Sequence, residues 1–399
     1  MSGGMRSAKW VLCDGRVSGR VSGWRSALVS LLAAGLAVSR VSSAQGEALP
    51  KVDPDGTVHV SELTLPPSEY WSPEFKAAYA KAAAGAIAHA QSATSTSAYT
   101  QPTAEAAKEQ WEAYDRNCAR QVADALAWER EHYPVETTDT QIGAVKVSVV
   151  APKAGSAPEN QHRVLIQLHG DSCAGLSLGQ LEAIPIAFFG RIKVVVVDFR
   201  PAPRYRFPAS LEDLATVYTG LLQQHKPESV GVFGTSGGGI LAAQFVAWCQ
   251  ANKLPRPGAV GIFWSGIPAA PYPFGKFGDG LLWELGGVPR SDHTKYNAMI
   301  AKIAEYISNA APNDPRAYPL ASDTVLANFP STLFVTGGRA LDSSAAVTSH
   351  ARLLKLGVDS YLYFMEGAWH AASFGTRGSP EERDVNTYIG RWFGQHLAR

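Results

Sequence analysis

Ser229–Phe233 (SVGVF) runs directly into Gly234-Thr235-Ser236-Gly237-Gly238, and a helical pattern, Ile240–Trp248, begins two residues later. A strand that turns sharply into a helix with serine at its apex is a nucleophile elbow. The turn strains the backbone of the serine and pushes its Oγ into open space. Glycines flank such a serine because strand and helix pass too close for side chains. The pentapeptide alone would carry little weight. Its place between a strand and a helix carries more, and the segments around it extend the reading.

Working outward, strand-type and helix-type segments alternate. Ala144–Val150 (AVKVSVV), Val164–Leu168 (VLIQL) and Lys193–Phe199 (KVVVVDF) precede the elbow. Ala259–Trp264 (AVGIFW), Thr332–Thr336 (TLFVT) and Ser360–Phe364 (SYLYF) follow it. The near-continuous β-branched run at 193–199 is that of a strand buried on both faces. Helical patterns at Leu176–Phe189, Leu211–Gln224, Ala345–Leu356 and Arg383–Leu397 separate or close the series. The alternation predicts an α/β fold, a doubly wound and mostly parallel sheet with helices on both faces.

The chain has 399 residues, 46% hydrophobic and 18% charged, with a formal net charge of +1. That balance gives no electrostatic reason to expect nucleic acid or an anionic surface as a partner. Arg16, Arg20 and Arg25 precede a short apolar run, Ala27–Val38, and then Ser42-Ser43-Ala44. This is the pattern of a secretory leader cleaved after Ala44, so residues 1–44 are expected to be a signal peptide and the mature chain secreted or periplasmic. Residues 45–140 read as an N-terminal helical layer, with Ala-rich patterns at Pro73–Gln91 and Thr103–Glu131. Residues 141–399 read as the catalytic domain. An aromatic- and Gly-rich insertion at 268–320, carrying Tyr272, Phe274, Phe277 and Trp283, sits where a lid would lie. Once Cys13 leaves with the leader, Cys118, Cys173 and Cys249 remain. Three thiols form at most one disulfide, and buried free thiols are expected. No metal-ligand cluster or phosphate-cradling loop is present, so neither a metal nor another cofactor is expected.

Serine needs a base to take its proton, and the base needs an orienting carboxylate. His370 follows the last strand, in Met365-Glu366-Gly367-Ala368-Trp369-His370. Asp342 follows the preceding strand as the only carboxylate in Gly337–Asp342. Its position also suits an N-cap for the helix that begins near Ser343. The order Ser236, Asp342, His370 is that of doubly wound hydrolases. The developing oxyanion needs donors. The Gly237 amide is one candidate, and Gly170 and Asp171, in the turn His169-Gly170-Asp171-Ser172, are the others. His169, Trp264 and Trp283 are expected to contact substrate.

Taken together, these pieces resemble the α/β-hydrolases of the hormone-sensitive-lipase type, over roughly residues 140–399. Asp198-Phe199-Arg200-Pro201-Ala202-Pro203 and Phe207–Asp213 add to the likeness. The resemblance implies a carboxylic-ester or lactone hydrolase with a helical cap built partly from the N-terminus. The chain departs from the family pattern in three places. Asp171 and Ser172 replace the last two glycines of His-Gly-Gly-Gly. Thr235 and Gly237 flank the serine in place of Asp and Ala. Asp342 falls two or three residues beyond the usual acid position. An amidase or acyltransferase using the same acyl-enzyme, and a binding protein that kept the pocket without turnover, are the alternatives.

Overall fold

The computed structural model describes residues 51–54, 58–59, 66–92, 104–170, 175–201, 204–270, 307 and 309–398. The leader expected at 1–44 lies outside them. The chain divides into two compact units, one ending at Leu65 and one spanning Pro66–Arg399. In the first, Lys51–Val52 pairs antiparallel with Val58–His59.

The second unit is organised around eight strands: β1 (Val135–Ile142), β2 (Val145–Pro152), β3 (Val164–Leu168), β4 (Lys193–Val197), β5 (Val230–Thr235), β6 (Ala259–Phe263), β7 (Ser331–Gly337) and β8 (Ser360–Met365). Their spatial order is β8-β7-β6-β5-β3-β4-β2-β1. Strands β3 to β8 run parallel to one another, and β2 is antiparallel to both β1 and β4. The longer helices are α1 (Pro73–Ser92), α2 (Ala104–His132), α3 (Leu176–Gly190), α4 (Ala209–Leu221), α5 (Gly237–Ala251), α6 (Ser343–Lys355) and α7 (Pro380–His396). This is the expected doubly wound sheet.

The valine run of β4 shows why. Val195 and Val197 join a core with Leu214 of α4 and Phe245 of α5. Val194 and Val196 face the other way, into a core with Ile184 of α3 and Trp392 of α7. Each buried valine is worth roughly 1.5–3 kcal/mol of transfer free energy, so a strand covered on both sides has no use for polar alternation.

Two features differ from the sequence expectation. A further strand, β1, opens the sheet. It reads VETTDTQI and only Val135 is buried. An outer edge strand facing water offers hydrophobic periodicity almost nothing to detect. The N-terminal layer expected over 45–140 is also divided at Leu65, and its helices are built into the main unit. Val122, Ala125, Leu126 and Tyr133 at the end of α2 share a core with Leu181 of α3. The Cys249 thiol is free and buried, and burial pushes it up to about 12. The Cys173 position and the Cys118 side chain are outside the described set. Among the described residues no helix is long and apolar enough to cross a membrane.

Candidate active site

The ends of β5, β6, β7 and β8 lie side by side, with Thr235 opposite Phe263, Phe263 opposite Val335, and Gly337 opposite Met365. Ser236 leaves β5 with φ 57° and ψ −120°, a region that L-residues rarely occupy, and α5 begins at the next residue. Two glycines make this turn possible. A Cβ on Gly238 would lie 2.0 Å from the Leu168 carbonyl oxygen, and one on Gly234 would lie 2.2 Å from the Gly238 carbonyl oxygen. The Ser236 amide donates to the Phe263 carbonyl at 2.9 Å, which pins the strained residue to β6. The first N–H groups of α5, starting with Gly237, have no intrahelical acceptor and sit at the positive end of the helix dipole.

Asp342 and His370 meet. His370 Nδ1 lies 2.6 Å from Asp342 Oδ1, and the Thr336 hydroxyl donates to Oδ2 at 2.6 Å. Asp342 does occupy the N-cap position of α6, yet its side chain makes no capping bond. Both carboxylate oxygens are committed elsewhere. The Asp342 side chain is fully buried and that of His370 is 15% exposed. A buried carboxylate can only accept, so it selects the imidazole tautomer with the proton on Nδ1 and leaves Nε2 as a base.

Other expected site residues sit behind this arrangement. Trp264 is buried, donates from Nε1 to Ser373 Oγ at 3.0 Å, and presents its ring edge-on to His370 at 6.4 Å. It backs the histidine and does not face open space. His169 is likewise buried. Its ring stacks on Phe199 at 4.3 Å, and Nδ1 lies 2.9 Å from the Gly170 carbonyl oxygen. It props the loop from beneath, so neither side chain is placed to touch a substrate. What Gly170 brings is proximity: a Cβ there would lie 3.4 Å from Ser236 Cβ. Asp171 and Trp283 lie outside the described residues.

Three contributors were not singled out from sequence. Thr336 is one, and Glu182 is the second. The third is the start of α1 with the segment before it. Trp71 Nε1 donates to the Glu366 carbonyl at 2.7 Å, and Phe75 packs on Trp369 with centroids 5.4 Å apart. Arg339, three residues before Asp342, donates to Tyr79 Oη at 2.6 Å and lies over the Trp71 ring at 5.5 Å. The N-terminal segment therefore braces the loops carrying Asp342 and His370. Among the described residues no cluster of His, Cys, Asp or Glu could hold a metal ion.

Burial raises Glu182 from 4.5 to about 8, partly offset by its hydrogen bond from Gln167. Glu129 on α2 and Glu382 on α7 are raised too, chiefly by burial, and Glu129 is pushed further by the charges of Glu382 and Glu182. The sign follows. Between pH 4.5 and about 8 the folded chain holds a proton on Glu182 that the unfolded chain has released, so stability falls as pH rises through that window. Tm is expected to decline from pH 5 to 8, and Glu182→Gln should flatten the decline. Melting curves at three pH values check this; an equal slope in the variant would contradict it.

The sequence profile of a family described as alpha/beta hydrolase fold matches residues 166–374. Arylacetamide deacetylase from Oryctolagus cuniculus is 36% identical over 120 residues, 27% of this chain and 30% of that protein, so the match spans under a third of that relative. An esterase from Acinetobacter venetianus is 25% identical over 281 residues, covering 67% of this chain and 86% of its own. Among solved structures, esterase E25 superposes with a TM-score of 0.69 at 24% identity, covering 85% of this chain and 98% of that one. An esterase from the bacterial hormone-sensitive lipase family gives a TM-score of 0.61 at 20% identity, covering 82% and 99%.

Proposed function

The chain belongs to the α/β-hydrolase-fold family, and we propose that it is a serine hydrolase of the hormone-sensitive-lipase-like branch that cleaves carboxylic esters or lactones through an acyl-enzyme on Ser236. The observation that carries this reading is the His370–Asp342 pair at 2.6 Å, on a sheet whose neighbouring strand end presents a serine at positive φ. In the proposed cycle, His370 Nε2 takes the Ser236 proton as Oγ attacks the ester carbonyl. The amides of Gly237, Gly170 and Asp171 meet the developing oxyanion. The imidazolium then protonates the leaving alkoxide, and the carbonyl re-forms as an ester of Ser236. Water attacks that ester with His370 again as base, releasing the acid and restoring the serine. The names of the relatives, a deacetylase and an esterase, agree with acyl transfer to water.

The test is a panel of p-nitrophenyl acyl esters set against the matching anilides, with Ser236→Ala as control. Ester hydrolysis at least about 10³-fold above buffer is expected, with anilides slower. Faster turnover of anilides would point to the amidase alternative. Binding of the esters without turnover would point to a non-catalytic binder.

A further inference from the structure

Glu182 stands out in the part of the molecule the proposed cycle does not use. Helix α3 reads LSLGQLEAIPIAFFG, and a carboxyl in so apolar a helix is costly to bury unless its contacts repay it. Glu182 is 3% exposed. Gln167 of β3 donates from Nε2 to Glu182 Oε2 at 2.5 Å. A second observation shows how closely α3 is held to the sheet. A Cβ on Gly179 would lie 2.2 Å from Val196 Cγ1 and 2.6 Å from Gln167 Oε1.

We infer that Glu182 is a positioning residue for the nucleophile, anchoring the end of β3 through Gln167 and so holding the Gly170 backbone, which leaves that strand, against Ser236. The inference rests on the reading of Ser236 as the acylated residue. The two strand ends abut, with Leu168 opposite Gly234. Any Cβ on Gly170 would sit 3.2 Å from the Thr235 carbonyl oxygen and 3.4 Å from Ser236 Cβ. Loss of the carboxyl leaves the buried Gln167 amide donor unpaired, and the strand end bearing it must shift to recover a partner. A glutamine keeps a carbonyl acceptor of the same shape. Its own NH₂ can reach Gln167 Oε1, which is buried and without a partner here, if the Gln167 amide turns over.

The experiment compares wild type, Glu182→Ala and Glu182→Gln on p-nitrophenyl butyrate. It measures kcat and KM separately, the rate of fluorophosphonate labelling, and folding by circular dichroism. Because small displacements of a reacting group are costly, Glu182→Ala should lower kcat and labelling rate by about 10–100-fold with KM within about threefold, and Glu182→Gln should return both rates to within about fivefold of wild type. A folded Glu182→Ala labelled at the wild-type rate, a loss confined to KM, or a glutamine variant no better than alanine would overturn the inference. If the alanine variant does not fold, Gln167→Met decides. That variant removes the donor that Glu182 holds and should lower kcat and labelling rate by about 10–100-fold, and rates within about threefold of wild type would overturn the inference. A wild-type protein that is neither labelled nor hydrolytic would instead sink the serine reading, and this inference with it.

Discussion

Ser236→Ala is expected to lower kcat/KM on a p-nitrophenyl ester by about 10⁵–10⁶-fold, because removing the nucleophile also idles the base that serves it. The fold should be untouched. Alanine tolerates the φ of 57° about as well as serine does, and the Ser236 amide, which anchors the turn to Phe263, is retained. Steady-state kinetics with a melting curve on the same sample separates chemistry from stability. A loss of less than tenfold, with Tm unchanged, would mean that another group carries the acyl chain.

Asp342→Asn should lower kcat by roughly 10²–10⁴-fold. The carboxylate serves two donors, His370 Nδ1 on one oxygen and Thr336 Oγ1 on the other. An amide has a single acceptor oxygen, so one donor must face an NH₂ group. If His370 faces it, the imidazole moves its proton to Nε2 and can no longer accept from Ser236. If Thr336 faces it, a buried hydroxyl loses its acceptor. Glu366 is nearer His370 in sequence, but its side chain is exposed and its carbonyl is used by Trp71, so Glu366→Gln should stay within about threefold of wild type. Kinetics of the two variants side by side decides. An inert Glu366→Gln paired with a nearly wild-type Asp342→Asn would assign the acid to the other residue.

How much was legible in the sequence depended on what each residue had to do. Strands buried on both faces announce themselves, since Lys193–Val197 needs apolar side chains on both sides. Strand β1 does not, because an edge facing water can be built from Glu, Thr, Asp and Gln. Ser236, Asp342 and His370 were accessible because each sits in a loop leaving the end of a strand. The two roles open to Asp342 could not be separated from sequence, since an N-cap and a histidine partner ask for the same residue at the same place. Only the direction of the carboxylate distinguishes them, and it points to His370. Direction also decides His169 and Trp264, which lie near the site but turn their polar groups inward. Glu182 did leave a signal, a single carboxyl in an apolar helix, matched by a single polar residue, Gln167, in the buried strand VLIQL. Pairing such isolated polar residues across predicted elements would have found it, because neither is affordable alone in a core.

The most direct measurement on the central claim is covalent. The protein is treated with a fluorophosphonate, digested, and mapped by mass spectrometry. One modified peptide is predicted, carrying the probe on Ser236, with labelling lost in Ser236→Ala and slowed in Asp342→Asn. Probe on a different serine, or an active enzyme that takes up none, would contradict the account.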